Sequence, residues 1–276
     1  MHSAIQKTGV IRQQENSSER GDDFLAVEEP LEIRLEYGNE NDRKTRSLSI
    51  TMRTPGNDAE LTAGFLLTEG IVKQSSDILE IKHIQTLPGV ESNYILARLN
   101  PNLQFDLSKL ERHFYTTSSC GVCGKSSIES LKSAVPADHS QKTGLTLNPE
   151  LIFALPDKLR QAQSAFDSTG GIHASGLFDI NGNLIALRED VGRHNALDKL
   201  IGWALLNKQL PLHDCIVLLS GRGSFELIQK CAMAGIKTVC AVGAPSSLAV
   251  QSAAEFGITL IGFLRNRRYN VYNQAS

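Results

Sequence analysis

The 276-residue sequence has no apolar run approaching the roughly 18 residues needed to cross a bilayer. Its opening stretch, MHSAIQKTGVIRQQENSSER, lacks the apolar h-region of a secretory signal. The expected location is therefore cytoplasmic, with no membrane as partner. An excess of one charge is missing too: 28 Lys and Arg stand against 30 Asp and Glu, a formal net charge of −2. That balance gives no reason to expect nucleic acid or an anionic surface as partner. Cysteine is scarce and odd in number, five in all. A disulfide framework is not needed by a chain long enough to bury a real core.

What is present reads as an α/β protein, α+β overall, with about two domains of ~100–200 residues each. With 41% apolar and 21% charged residues the composition is that of an ordinary soluble chain. Residues 1–24 cluster Gln, Glu, Asn and Ser and read as a disordered tail. Residues 25–115 read as a small N-terminal α/β domain. There EEPLEIRLEYG and SLSITMRTPG are strand-like, and Asp58 opens an amphipathic helix that turns Leu61, Phe65 and Leu66 inward and ends at Gly70. ILEIKHIQ and NYILARLN follow as strands. Residues 116–148 hold TTSSCGVCGKSS, almost free of apolar side chains, and a Pro- and Gly-punctuated spacer, read together as a mobile loop and linker.

Residues 149–276 read as a C-terminal α/β domain with a mixed sheet, opened by a helix from about Pro149 to Phe166. ASGLFDINGNLIALRED is a hairpin signal around Asn181-Gly182. Asp190 is suited to N-cap a helix whose Ala196, Leu197, Leu200, Ile201, Ala204 and Leu205 share one apolar face. CIVLL, SFELIQKCAMAG, IKTVCAV, SSLAVQSAAEFG and ITLIGF then alternate strand and helix. Ser224, Gly235 and Ile236 recur 22 positions later as Ser246, Gly257 and Ile258. Such alternation implies parallel strands joined by right-handed crossovers. The loops REDVGRH, SGRGS and GAPSS, with the terminal RNRR, should then leave the sheet at one edge, where open α/β sheets bind ligands.

The cysteines divide by context. Cys215, Cys231 and Cys240 lie in apolar segments, as buried thiols acting as small hydrophobes would. Cys120 and Cys123 lie among Thr, Ser and Gly, next to Lys125, and packing does not explain them. A nearby cation lowers a thiol pKa and favours the reactive thiolate. Four readings compete. A structural zinc site wants four ligands, yet there is no second C-x-x-C, and His113 and His139 stand at unpersuasive spacings. A thioredoxin-like pair belongs at a strand-to-helix junction of a βαβ unit, not in a polar loop. Cysteines without a role would expose free thiols to oxidation. A sulfur carrier, holding a persulfide on one cysteine with its neighbour available for exchange, suits a glycine-containing loop.

At the sheet edge, the amides and glycines of SGRGS, with Ser220, Arg222 and Ser224, suit an anion. The segment lacks both the full dinucleotide fingerprint and the Lys-Ser/Thr of a P-loop. FLRNRRYNVY adds three arginines, and convergence with SGRGS favours a phosphate or pyrophosphate ligand, with Arg265 and Arg268 on phosphates. Glu189 and Asp190 are candidate acceptors for ligand amino or hydroxyl groups, while Arg193 and His194 fall in the first helical turn. His173 reads more readily as a satisfied core histidine than as a catalyst.

Together EEPLEIRL, AGFLLTEGI, SSCGVCG, TGGIHASGLF, EDVGRHNALDKL, SGRGSFELIQK and GFLRNRRYNVY resemble, in order and over nearly the whole chain, the FdhD family of formate dehydrogenase accessory sulfurtransferases. The resemblance implies an enzyme, a sulfurtransferase and homodimer that takes sulfur from a cysteine desulfurase as a persulfide. It would pass that sulfur to the molybdenum bis-guanine-dinucleotide cofactor, of which GDP is a partial mimic, for formate dehydrogenase. Cys120 would carry the persulfide and Cys123 would be its partner. Phe263, Leu264, Arg265, Asn266, Arg267 and Arg268 would form the cofactor-binding segment; relatives can carry a Cys and a Pro-Gly there, where this chain has Leu264 and Asn266-Arg267. No protein-bound metal is expected. The resemblance also implies a cytidine-deaminase-like fold for the C-terminal domain, but the H-x-E and later P-C-x-x-C of zinc deaminases are missing, so deamination is not expected. The alternative is a cofactor chaperone that performs no chemistry.

Overall fold

The computed structural model describes residues 4–84, 93–103 and 148–275. The chain opens with a hairpin of β1 (Ile5–Gln14) and β2 (Ser17–Ala26), paired from Ile5 opposite Ala26 to Gln14 opposite Ser17. This differs from the disordered tail expected for residues 1–24. The strands offer few apolar side chains because they pair mainly with each other. Their exposed faces are tied by Lys7 to Asp22 at 2.6 Å and by Arg12 to the Asp22 carbonyl at 2.6 Å.

β3 (Glu29–Tyr37), β4 (Lys44–Arg53), β5 (Ile78–His83) and β6 (Tyr94–Leu99) form a sheet in the order β4-β3-β6-β5, in which only β3 and β6 run parallel. α1 (Asp58–Thr68) joins β4 to this layer, burying Leu61 and Leu66 and packing Phe65 half-buried on the core. Gly70 follows with φ 71°, the left-handed conformation that ends a helix.

α2 (Pro149–Ala162) and α3 (Ser164–Thr169) stand where one helix to Phe166 was expected; the chain breaks at Gln163, whose φ and ψ of −83° and 81° are not helical. β7 (His173–Asp179), β8 (Leu184–Asp190), β9 (Cys215–Leu219), β10 (Thr238–Ala241), β11 (Thr259–Arg265) and β12 (Arg268–Asn273) form a mixed sheet in the order β12-β11-β10-β9-β7-β8. α4 (Arg193–Leu206), α5 (Phe225–Met233) and α6 (Ser247–Glu255) alternate with its strands. β7 is antiparallel to both β8 and β9, and β9, β10 and β11 are mutually parallel, so β8 to β11 all point one way. The run RNRR is not a tail. It turns β11 back into the edge strand β12, with Arg265 opposite Arg268.

Two clusters share the burial. Ile152, Leu155 and Leu159 of α2 cover one face of the large sheet with Phe178, Ile216, Leu218, Cys240 and Ile261. The other cluster runs without a break from Leu31, Ile33 and Leu66 through Leu197, Leu200 and Ile201 to Val217 and Leu260, so the two sequence-defined units share a core. Their seam is the crossing of α1 and α4. A Cβ on Gly64 would lie 1.8 Å from the Asp198 carbonyl oxygen, and one on Gly202 would lie 1.8 Å from that of Glu60. The backbones meet directly there, which any side chain would prevent. Beside the crossing, the Lys199 ammonium bonds Asp190 at 2.7 Å and the Thr54 carbonyl at 2.8 Å. Lys230 bonds Asp198 at 2.9 Å and the Thr68 hydroxyl at 3.0 Å. Each buried pair therefore reaches a threonine of the N-terminal unit.

Candidate functional site at the carboxyl edge of the large sheet

Because β8 to β11 point the same way, the loops after them meet at one edge, joined by the start of β7. Backbone bonds stitch these loops into a single tier. Ser220 N donates to the Ala174 carbonyl at 3.0 Å, Gly223 N to Ala244 at 3.1 Å, Gly243 N to Gly221 at 2.9 Å and Phe263 N to Gly243 at 3.0 Å. Behind the tier, α2 and α3 border an open cavity of about 640 Å³. Leu159, Phe166, Ile172, Val191 and Val242 supply apolar walls, Gln163, His173 and Ser220 uncharged polar ones, and Asp157 and Arg160 charged ones.

The predicted residues meet different fates. Ser220 lines the cavity, its Oγ accepting from Ala174 N at 2.9 Å while its hydroxyl proton remains to be donated. Arg222 is exposed at the edge. Ser224 N-caps α5, and its Oγ lies 3.4 Å from His194 Nε2. That nitrogen is also 3.3 Å from Glu226. Burial lowers the His194 pKa more than Glu226 raises it, and Arg193 and Lys230 add to the fall, so the ring is neutral at neutral pH and its contact with Glu226 is not an ion pair there. His173 has its pKa lowered too, first by burial and then by the guanidinium groups of Arg193 and Arg222. It faces the cavity as a neutral imidazole with one donor and one acceptor nitrogen.

Several expectations need correction. Both carboxylate oxygens of Glu189 accept backbone amides of α3, from Ala165 at 3.1 Å and Phe166 at 3.0 Å, so the group holds this chain and not a ligand. Asp190 is not the N-cap; Gly192 is. Asp190 instead ends β8 and is fully buried against Lys199 and Thr54 N, since a carboxylate in that position has a buried ammonium to neutralise. Leu264 is 1% exposed and packs with the α2 cluster, which removes it from any ligand surface. Arg267 spends its charge on Glu150, with both contacts at 2.8 Å, and lies 5.1 Å from the Phe153 ring centre. Phe263, Asn266 and Arg267 have φ of 53°, 51° and 52°, the left-handed region a tight reversal demands. Arg265, 5.9 Å from the Phe263 ring centre, Asn266 and Arg268 remain exposed at the tip. Cys120 and Cys123 lie outside the described residues.

Gln163 was not foreseen. It is 4% exposed, lines the cavity, and its amide nitrogen is buried without a hydrogen-bond partner. A lone polar residue between two helical stretches carries no local mark of burial. The only available signal was the apolar spacing of Ile152, Leu155 and Leu159, which turns that end of α2 toward the sheet.

Fold and site define an α/β protein with a ligand cavity at the carboxyl edge of a mixed sheet, the position where such sheets bind nucleotides and related cofactors. Within that class the chain belongs to the FdhD/NarQ family, whose sequence profile matches residues 26–276. It is 46% identical over 278 residues to a Streptomyces coelicolor protein named "Sulfur carrier protein FdhD", covering 100% of this chain and 96% of the relative. A protein of the same name from Saccharolobus solfataricus is 39% identical, covering 98% and 97%. The crystal structure of a Desulfotalea psychrophila protein, described as a formate dehydrogenase accessory protein, superposes with a TM-score of 0.70 at 25% identity over 98% of this chain and 97% of that one.

Proposed function

We propose that the chain is a sulfurtransferase of formate dehydrogenase maturation. It would receive sulfur from a cysteine desulfurase as a persulfide on Cys120 and deliver it to the molybdenum bis-guanine-dinucleotide cofactor as cargo. Membership of a family whose relatives are named sulfur carriers supports the class of reaction. The observation that carries the residue assignment is the fate of the other thiols. Burial pushes the Cys240 thiol up to about 12 and raises Cys231 further, and half-buried Cys215 is raised by burial and by Asp214. Such thiols are protonated at neutral pH, which leaves the Cys120 and Cys123 pair for the nucleophile; the resemblance to the family is what gives Cys120 the persulfide and Cys123 the exchange role.

In the loading step the Cys120 thiolate attacks the outer sulfur of the donor persulfide. A new S–S bond forms as the donor's breaks, and the donor cysteine leaves as a thiolate, so no external oxidant or reductant is consumed. In delivery the Cys123 thiolate would attack the Cys120 sulfur, so that a Cys120–Cys123 disulfide forms as the persulfide S–S bond breaks and the outer sulfur leaves to the cargo as hydrosulfide; a cellular thiol reductant would then restore the dithiol. The carboxyl-edge cavity, with Arg222, Arg265 and Arg268 exposed at the same sheet edge, suits a planar, phosphate-bearing cargo. A cytoplasmic homodimer is part of this reading. Among the described residues no helix is long and apolar enough to cross a membrane.

The test is intact mass spectrometry after incubation with a cysteine desulfurase and cysteine. One added sulfur that maps to Cys120 is expected. Full activation of formate dehydrogenase by Cys120→Ala would leave only a chaperone without chemistry.

A further inference from the structure

The six-residue helix α3 lies between two pivots. Before it Gln163 departs from helical geometry, and after it Gly170 takes a φ of 64° and is followed by Gly171. None of its residues is buried, so packing does little to fix it. Yet Phe166 of this helix, with Gly170 and Gly171, lines the cavity. The helix also touches the β1–β2 hairpin, which pairs with no other strand among the described residues and is therefore a free arm instead of a fixed wall. Two polar contacts tie α3 to its surroundings. Arg160 of α2 meets Asp167 at 2.8 Å and lies 4.2 Å from the Phe166 ring centre, but that ion pair is 49% and 58% exposed and contributes little. The Glu189 carboxylate of β8 is the stronger tie, because it accepts two charge-assisted hydrogen bonds, from Ala165 N at 3.1 Å and Phe166 N at 3.0 Å. The pivot itself resists little: Gln163 Nε2 is buried without a hydrogen-bond partner, so its displacement breaks no bond at that nitrogen and lets water supply one.

We infer that α3 is a hinged flap of the cavity, pivoting at Gln163 and at Gly170-Gly171 and latched by the Glu189 carboxylate. Latched, it holds the Phe166 ring on the cavity wall; released, it carries that ring away and widens the entrance. Its use, the admission and release of cargo, rests on the cofactor-delivery reading. Its motion is measured on the chain without any ligand, so the flap and the cargo fail separately.

Hydrogen exchange of the full chain, read by mass spectrometry, tests the flap. In the parent the amides of residues 164–170 should exchange through an opening that low concentrations of denaturant leave unchanged, whereas those of β9 to β11 should speed up with denaturant. Glu189→Gln keeps the shape of the side chain but leaves one accepting oxygen and no charge. It should speed exchange at 164–170 on the order of tenfold. A thiol placed on the cavity wall by Ser220→Cys should then react faster with a bulky maleimide in the Glu189→Gln background, as read by peptide mapping. Should Glu189→Gln fail to fold, the denaturant dependence of the parent decides alone. A glutamate that merely stabilises the fold would leave residues 164–170 exchanging only with global unfolding, on the same denaturant slope as β9 to β11. That shared slope would overturn the flap, as would exchange at 164–170 or labelling at position 220 that Glu189→Gln leaves unaltered.

Discussion

At the scale of single residues, the decisive variable is whether a polar or nucleophilic group already has a partner. Cys231 and Cys240 are fully buried with raised pKa values, so brief alkylation of the native protein followed by peptide mapping should label Cys120 well before either. Labelling of Cys240 at the same rate would contradict the assignment. His173 and His194 are depressed below the usual histidine value in the folded chain, so the unfolded chain binds more protons at mildly acidic pH. Their contribution to stability is complete above about pH 6.5 and is lost as pH falls through and below it. Chemical denaturation at about pH 7 and pH 5 should show that loss, and His194→Gln should reduce it. An unchanged pH dependence would remove His194 from the account.

At the scale of elements, the crossing of α1 and α4 admits no side chain at Gly64 or Gly202. Either glycine changed to alanine would press a methyl group into a carbonyl oxygen of the facing helix, which cannot yield as a flexible side chain does. The expected cost is about 3 kcal/mol or more, at the upper end for overpacking, read as a fall in the denaturant midpoint. The buried pairs beside the crossing behave differently. Burial pushes Asp198 up, to about 6, although Lys230 adjoins it; burial alone would lower Lys230, but Asp198, Glu69 and Glu226 reverse that and leave it raised. Both directions leave the pair ionised at neutral pH. Asp198→Asn would strand the ammonium and should cost about 3–5 kcal/mol, and adding Lys230→Met should recover much of it. Additive losses in the double variant would show that the two groups act independently.

At the scale of the molecule, one continuous core and two buried lysine–aspartate pairs join the units that the sequence separates. Calorimetry should therefore show one unfolding transition for the described body, moved as a whole by Asp198→Asn. Two transitions, of which only one moves, would mean that the seam carries little energy. The hairpin tip is a contrasting case. Arg267 and Glu150 are 69% and 67% exposed, so Arg267→Ala should change global stability by no more than about 1 kcal/mol.

The strand-and-helix rhythm of residues 174–263 and the handedness of βαβ crossovers were together enough to bring REDVGRH, SGRGS, GAPSS and RNRR to one edge. Both are local or generic properties that need no knowledge of distant contacts. The Asn181-Gly182 reversal and the burial of Cys231 and Cys240 were legible for the same reason. The fates of individual groups were not. Glu189 is claimed by amides 24 and 23 residues away, Arg267 by a carboxylate 117 residues away and Lys199 by a carbonyl 145 residues away. The first hairpin also escaped composition, since its strands find partners mainly in each other rather than in a core. Sequence periodicity states which face of an element turns inward, but a polar group's role depends on which atoms the chain path brings within about 3 Å of it. Only the tertiary structure decided that Glu189 and Asp190 serve the fold and that Gln163 is buried with its amide nitrogen unpaired.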